Sequence, residues 1–164
     1  MSDFVDEFQR VVDSTEPRLL AITERQASIR PAPDRWSAKE VLGHLIDSAA
    51  NNHRRFVEAQ LKDDLMFPGY AQEQWVAVQQ YQQAAWSSLV TLWAAYNRHL
   101  IHVVSSISDA QLHEPRARHT LDQIAWQTVS RDVPVSLEYL IRDYIGHLRD
   151  HLNQILAIVD GPEA

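Results

Sequence analysis

The chain has 164 residues, 45% hydrophobic and 23% charged, with 4 glycines, 7 prolines and no cysteine. That is one domain's length of ordinary globular composition, which excludes a disordered chain, a turn-rich all-β protein, a disulfide scaffold and a thiolate metal cage. Fifteen basic against 22 acidic residues give a formal charge of −7, which argues against a nucleic-acid-binding surface built on lysine and arginine.

The first helical pattern carries Phe4, Val5, Phe8, Val11 and Val12. Pro17 is expected to interrupt it, with Ser14 or Thr15 capping a second piece from Glu16 to about Gln26. Arg30-Pro31-Ala32-Pro33-Asp34 then reads as a rigid, extended connection. Ser37-Ala38-Lys39-Glu40 is a capping box, with Trp36 and Val41 placed as a hydrophobic staple. It predicts a helix to about Leu61 with Ala38, Val41, Leu42, Leu45, Ala49 and Phe56 on its apolar face.

Residues 63–69 read as a loop punctuated by Pro68-Gly69, and a single long helix is expected from about Gln72 to Ser105. Ser108-Asp109-Ala110-Gln111 opens a short helix, and residues 114–134 are polar and irregular, with a short helical or extended piece between Leu121 and Trp126. Ser136 caps the last helix, from Leu137 to Val159, which Asp160-Gly161-Pro162 stops. Three long helices and an N-terminal one predict an all-α fold, a single four-helix-bundle domain over residues 1–164 with short extra helices.

The segment Met1-Ser2-Asp3-Phe4 lacks the basic and apolar regions of a signal peptide, and no stretch approaches the roughly 18 apolar residues of a membrane span. The expectation is a cytoplasmic protein that meets a small-molecule substrate and neither nucleic acid nor membrane.

Eight histidines are present, and helical geometry sorts them. His147 and His151 are four residues apart on the last helix, about 40° apart on one face. They border the apolar stripe of Leu137, Leu140, Ile141, Tyr144, Leu148, Ile155 and Val159. His44 stands at the border of the buried face of the second helix, whereas His53 projects to that helix's opposite side. In an antiparallel bundle one histidine from one helix can meet two from another. Three neutral imidazoles then leave a coordination position open, the pattern of a reactive rather than a structural zinc site. Nickel or iron would also accept such ligands. The alternative is a set of half-buried histidines bonded to carbonyls or carboxylates.

His99 and His102 form a rival pair, and His113 and His119 fall in the irregular segment, where histidines are usually solvated. There is no HExxH, and no histidine has a glutamate three residues before it, which disfavours a di-iron bundle. Asp47 is a candidate catalytic base or support for the ligands, Asp150 or Glu40 a candidate orienter of ligand nitrogens, and Arg55 a clamp for an anionic substrate. For Asp47 a solvated surface charge is an equal alternative, and for Asp150, Glu40 and Arg55 it is the favoured one. Trp36, Trp75, Trp86, Trp93 and Trp126 can line a pocket, although Trp86 and Trp93, seven apart, fit the core or a dimer face better.

Trp36-Ser37-Ala38-Lys39-Glu40-Val41-Leu42-Gly43-His44-Leu45-Ile46-Asp47-Ser48 resembles the second-helix motif of the DinB-like superfamily. Phe67-Pro68-Gly69-Tyr70 followed by Trp75 is similar to its connection into helix three, and residues 144–155 to its closing motif. Nearly the whole chain is covered in order, and the nearest group is the YfiT-type metal-dependent hydrolases. The resemblance implies a four-helix bundle with His44, His147 and His151 as ligands of a divalent metal ion, nickel or zinc, and often a homodimer. It also implies a hydrolase or a thiol-dependent S-transferase in which the ion activates a low-molecular-weight thiol, beside non-catalytic binding bundles. One departure stands out: the segment after Tyr70 often carries an aspartate in the family, and Ala71 and Gln72 occupy it here.

Overall fold

A computed structural model describes residues 3–161. Four long helices, α1 (Asp3–Leu20), α3 (Ala38–Glu58), α5 (Trp86–Ser105) and α8 (Leu137–Asp160), carry the fold. Four short ones lie between them: α2 (Glu24–Ser28), α4 (Gln72–Gln79), α6 (Asp109–His113) and α7 (Leu121–Ile124). α3 packs chiefly on α5 and α8, and so does α1. The four therefore form a ring in the order α1–α5–α3–α8, with α1 and α3 at opposite corners. No strand occurs among the described residues, only isolated bridges of Leu65 with His119 and of Arg116 with Val135. None of the described helices is long and apolar enough to cross a membrane.

The start of α3 follows the capping box. Ser37 Oγ accepts from the Glu40 amide, and Glu40 Oε2 accepts from the Ser37 amide at 2.9 Å. All six residues expected on its apolar face are buried. Ser108 and Ser136 likewise cap α6 and α8. The stop expected at Asp160-Gly161 falls where α8 ends, whereas Pro162 lies outside the described residues.

Three expectations need correction. Pro17 does not interrupt α1, which runs through it to Leu20. Its ring removes one amide donor, but Phe8, Val12, Thr15 and Leu19 keep one buried stripe continuous past it. The second piece is instead the short α2, whose capping box is Thr23 with Gln26. The proline-rich connection is bent rather than extended, because Arg35 N donates to Ala32 O at 3.0 Å.

The long helix expected from Gln72 to Ser105 is broken. α4 ends at Gln79, Gln80 takes a left-handed conformation (φ 50°), and residues 81–83 make a 3-10 turn before α5 begins at Trp86. Distant parts of the chain fix the break. Glu24 of α2 accepts from Trp86 N at 2.8 Å, supplying the cap that Ala85 lacks. Gln82 Nε2 donates to Ser28 O, and Gln82 Oε1 accepts from Ser37 Oγ. Trp86 and Trp93 both belong to the core, as their spacing suggested.

Candidate metal centre

α3 and α8 bring His44, His147 and His151 together. One ring nitrogen from each lies within 4.8 Å of the others. His44 Nε2 and His147 Nε2 are 3.2 Å apart, close to the roughly 3.3 Å expected between two nitrogens on one tetrahedral zinc. The His44–His151 and His147–His151 ring centroids are 4.9 and 4.5 Å apart. His44 is 1% exposed, and the other two are half-buried.

Burial, with neighbouring His151 adding to it, lowers the His44 pKa to about 4. Burial, His151 and His44 lower that of His147 to about 3. Both rings therefore stay neutral at pH 7 and present lone pairs, the form in which histidine ligates. Two Nε2 atoms 3.2 Å apart share at most one proton, and desolvation opposes a second charge, so a lone pair is left that a cation would satisfy. His44 Nδ1 is buried without a partner. His151 Nδ1 donates to Gln154 Oε1 at 2.7 Å, which leaves its Nε2 as the free nitrogen. The donor set fits a divalent ion.

Glycine precedes two of the three histidines, and each glycine admits an aromatic ring. A Cβ on Gly43 would stand 2.1 Å from Tyr81 Cδ2, and one on Gly146 would stand 2.9 Å from Trp126 Cζ3. Trp36 packs on the His44 ring with centroids 5.4 Å apart, and Trp126 reaches within 6.4 Å of His147. In front of the cluster is a cavity of about 360 Å³ onto which His147, His151 and Trp126 open. Ser48, Asn52, Arg55, Tyr70 and Gln72 supply its polar wall.

Asp47 is 2% exposed and lies one turn after His44. Its Oδ1 accepts from Tyr81 Oη at 2.6 Å and Gln79 Nε2 at 2.7 Å, while Oδ2 has no partner. Burial raises its pKa above the ordinary carboxylate value, partly offset by those two hydrogen bonds. It belongs neither to the cluster nor to the cavity wall. Asp150 is exposed, and Glu40 is taken up by Arg30 Nη2 at 2.6 Å and by its cap. Neither bonds a ring nitrogen of the cluster; Gln154 does, and its position three residues after His151 was the available signal. Trp126, one of the five tryptophans that the sequence offered as pocket lining, does line the cavity from within the irregular segment.

The remaining histidines stay apart from the cluster. His53 Nδ1 meets Tyr96 Oη at 3.2 Å, and His113 pairs with Glu138 at 3.0 Å. His119 is not solvated: it is 1% exposed, donating through Nε2 to Val133 O and accepting at Nδ1 from Leu121 N.

No protein of curated function matches the chain in sequence. Among solved structures it is similar to YfiT from Bacillus subtilis, described as a probable metal-dependent hydrolase with an unusual four-helix bundle topology. That match has a TM-score of 0.77 at 17% identity over 96% of this chain and 87% of that one. A conserved protein from Enterococcus faecalis matches with a TM-score of 0.54 at 16% identity, covering 97% and 96% of the two chains. The DinB superfamily model matches residues 7–155, and with that match, the ring of four helices and the motifs around His44 and His147, the chain belongs to the DinB superfamily.

Proposed function

We propose that the chain is a metal-dependent hydrolase of the YfiT type, with His44, His147 and His151 holding a divalent ion, nickel or zinc. The supporting observation is the convergence of three imidazole nitrogens within 4.8 Å beside a cavity of about 360 Å³. When bound, the ion would supply Lewis acidity, lowering the pKa of a water or thiol it holds and polarising an acyl oxygen. His44, His147 and His151 act as ligands rather than proton carriers. Gln154 holds the His151 tautomer, and Trp126 stands beside His147 in the cavity wall.

Asp47 enters as a positioning residue. Its carboxylate ties Gln79 and Tyr81, and so the turn at Gln80, to α3 beside His44. Asp47→Asn, which keeps an acceptor for the tyrosine, should retain more metal and a higher Tm than Asp47→Ala. The homodimer implied by the resemblance belongs to the same proposal, and light scattering of the metal-loaded protein tests it.

The test of the centre is the metal content of purified, tag-free protein by plasma mass spectrometry, beside His44→Ala and His147→Ala. Near-stoichiometric nickel or zinc in the parent and its loss in both variants is expected. Chelator-sensitive hydrolysis of activated esters or amides should follow, without any need for an added thiol. A parent that stays empty after divalent ions are offered and dialysed away would overturn the proposal. Turnover only in the presence of a thiol would replace hydrolysis by S-transfer.

A further inference from the structure

Arg55, in the last turn of α3, is 6% exposed and yet lines the cavity beside the histidine cluster. Its guanidinium donates to Asn52 Oδ1 at 3.4 Å and to Pro68 O at 3.2 Å, both neutral acceptors. Among the described residues no carboxylate forms an ion pair with it. The one acid in the cavity wall, Asp143, is turned to the backbone: its two oxygens accept from Trp126 N at 2.8 Å and Gln127 N at 2.7 Å. Asp143 offsets part of the Arg55 charge from across the wall, but a buried cation that no anion meets directly is costly unless something else supplies that contact. A guanidinium carries five donors in a planar fork, and the two contacts described leave others to be satisfied.

We infer that the cavity takes a small monoanionic carboxylate, seated on Arg55, with the rest of the molecule directed toward His147 and His151. The planar fork of arginine matches a carboxylate in two parallel hydrogen bonds. Part of the guanidinium's charge is already offset by Asp143 in the same wall, so the site suits a single negative charge better than a dianionic phosphate. Ser48, Asn52 and Gln72 add neutral hydrogen-bonding groups without further charge. The volume is at the small end of ligand sites, which suits a compact acid.

The orientation toward the histidines rests on the metal-centre reading; the contact with Arg55 does not. The test therefore uses protein stripped of metal by a chelator, with benzoate, benzamide and inorganic phosphate as probes, followed by calorimetry and by the Arg55 Nε–H resonance. Saturable benzoate binding at least tenfold tighter than benzamide is expected, with a shift of that resonance. Arg55→Gln should lose the preference and Arg55→Lys keep part of it. If Arg55→Gln does not fold, the parent's benzoate-to-benzamide ratio and its Arg55 resonance decide alone. Equal binding of the acid and the amide, an unmoved resonance, or phosphate binding tighter than benzoate would each overturn the inference. Stripped protein that binds benzoate at Arg55 but never retains metal would overturn the metal reading and leave this one standing.

Discussion

α3 contributes one histidine to each of two clusters. His44 meets His147 and His151 of α8, while His53 meets His99 of α5, with ring centroids 4.9 Å apart and His102 a further 6.3 Å on. Both clusters have one ring from α3 and two from a neighbouring helix. In the first, nitrogens converge within 4.8 Å against a residue 1% exposed. In the second, His53 turns Nδ1 to Tyr96, and His99 and His102 are exposed, so water can meet the remaining nitrogens. Spacing along a helix brings rings near one another. Desolvation and convergence are what separate a ligand set from neighbouring surface residues.

The sharpest break of that comparison is metal retention. His53→Ala and His99→Ala should keep the parent's metal content, whereas His44→Ala and His147→Ala should reduce it nearly to background by plasma mass spectrometry. Loss in His53→Ala and His99→Ala with retention in His44→Ala and His147→Ala would mean that the α3–α5 cluster is the binding site. Next in size is the effect of Gln154. Gln154→Ala frees the His151 ring to rotate and should weaken metal affinity by roughly 10- to 100-fold in competition with a chromophoric chelator. An unchanged affinity would show that core packing alone orients the ring.

Smaller again is the effect of the glycines. Gly43→Ala places a methyl within 2.1 Å of the buried Tyr81 ring and should cost about 1–3 kcal/mol, measured by chemical denaturation. Gly146→Ala meets Trp126 at 2.9 Å, but that ring is 43% exposed and free to shift, so its cost should be the lesser of the two. The reverse order would show that Trp126, not Tyr81, is the rigid partner.

The most gradual effect is that of pH on the metal-free protein. Burial holds His147 near 3 and His44 near 4, whereas in the unfolded chain both titrate near 6.5. Below pH 6.5 the unfolded chain therefore takes up protons that the folded one refuses, and stability falls steadily from about pH 6.5, the His44 share ending near pH 4 and the His147 share near pH 3. Burial, and after it His99, also lowers the less enclosed His53. His147→Gln should accordingly flatten the profile of denaturation midpoints more than His53→Gln does. Equal flattening would put the two clusters in similar surroundings.

Much of this site was legible before any coordinates. Ser37 and Glu40 marked where α3 starts, which sets the angular position of His44, and the four-residue step from His147 to His151 put both rings on one edge of α8. The break at Gln80 was not legible, because Trp75, Tyr81, Ala85 and Leu89 keep a helical rhythm across it. What interrupts the helix is Glu24 and Ser28 acting from more than 50 residues away, at Trp86 and Gln82. His119 was misread for a similar reason. It sits in a polar stretch, but its two nitrogens close backbone groups of Val133 and the buried Leu121, and the ring itself is 1% exposed. Arg55 shows the reverse case: a residue read more readily as surface charge proves buried, and its meaning depends on a wall assembled from four separate parts of the chain.

Asp143, His147 and His151 succeed one another at four-residue steps along α8. The first grips the backbone of Trp126 and Gln127, while the other two point into the histidine cluster. One rod thus carries both a wall of the chamber and two of the three clustered imidazoles. Any roll of α8 about its own axis would swing the indole and the two imidazoles in the same sense, so the width of the mouth and the spacing of the nitrogens are geared together.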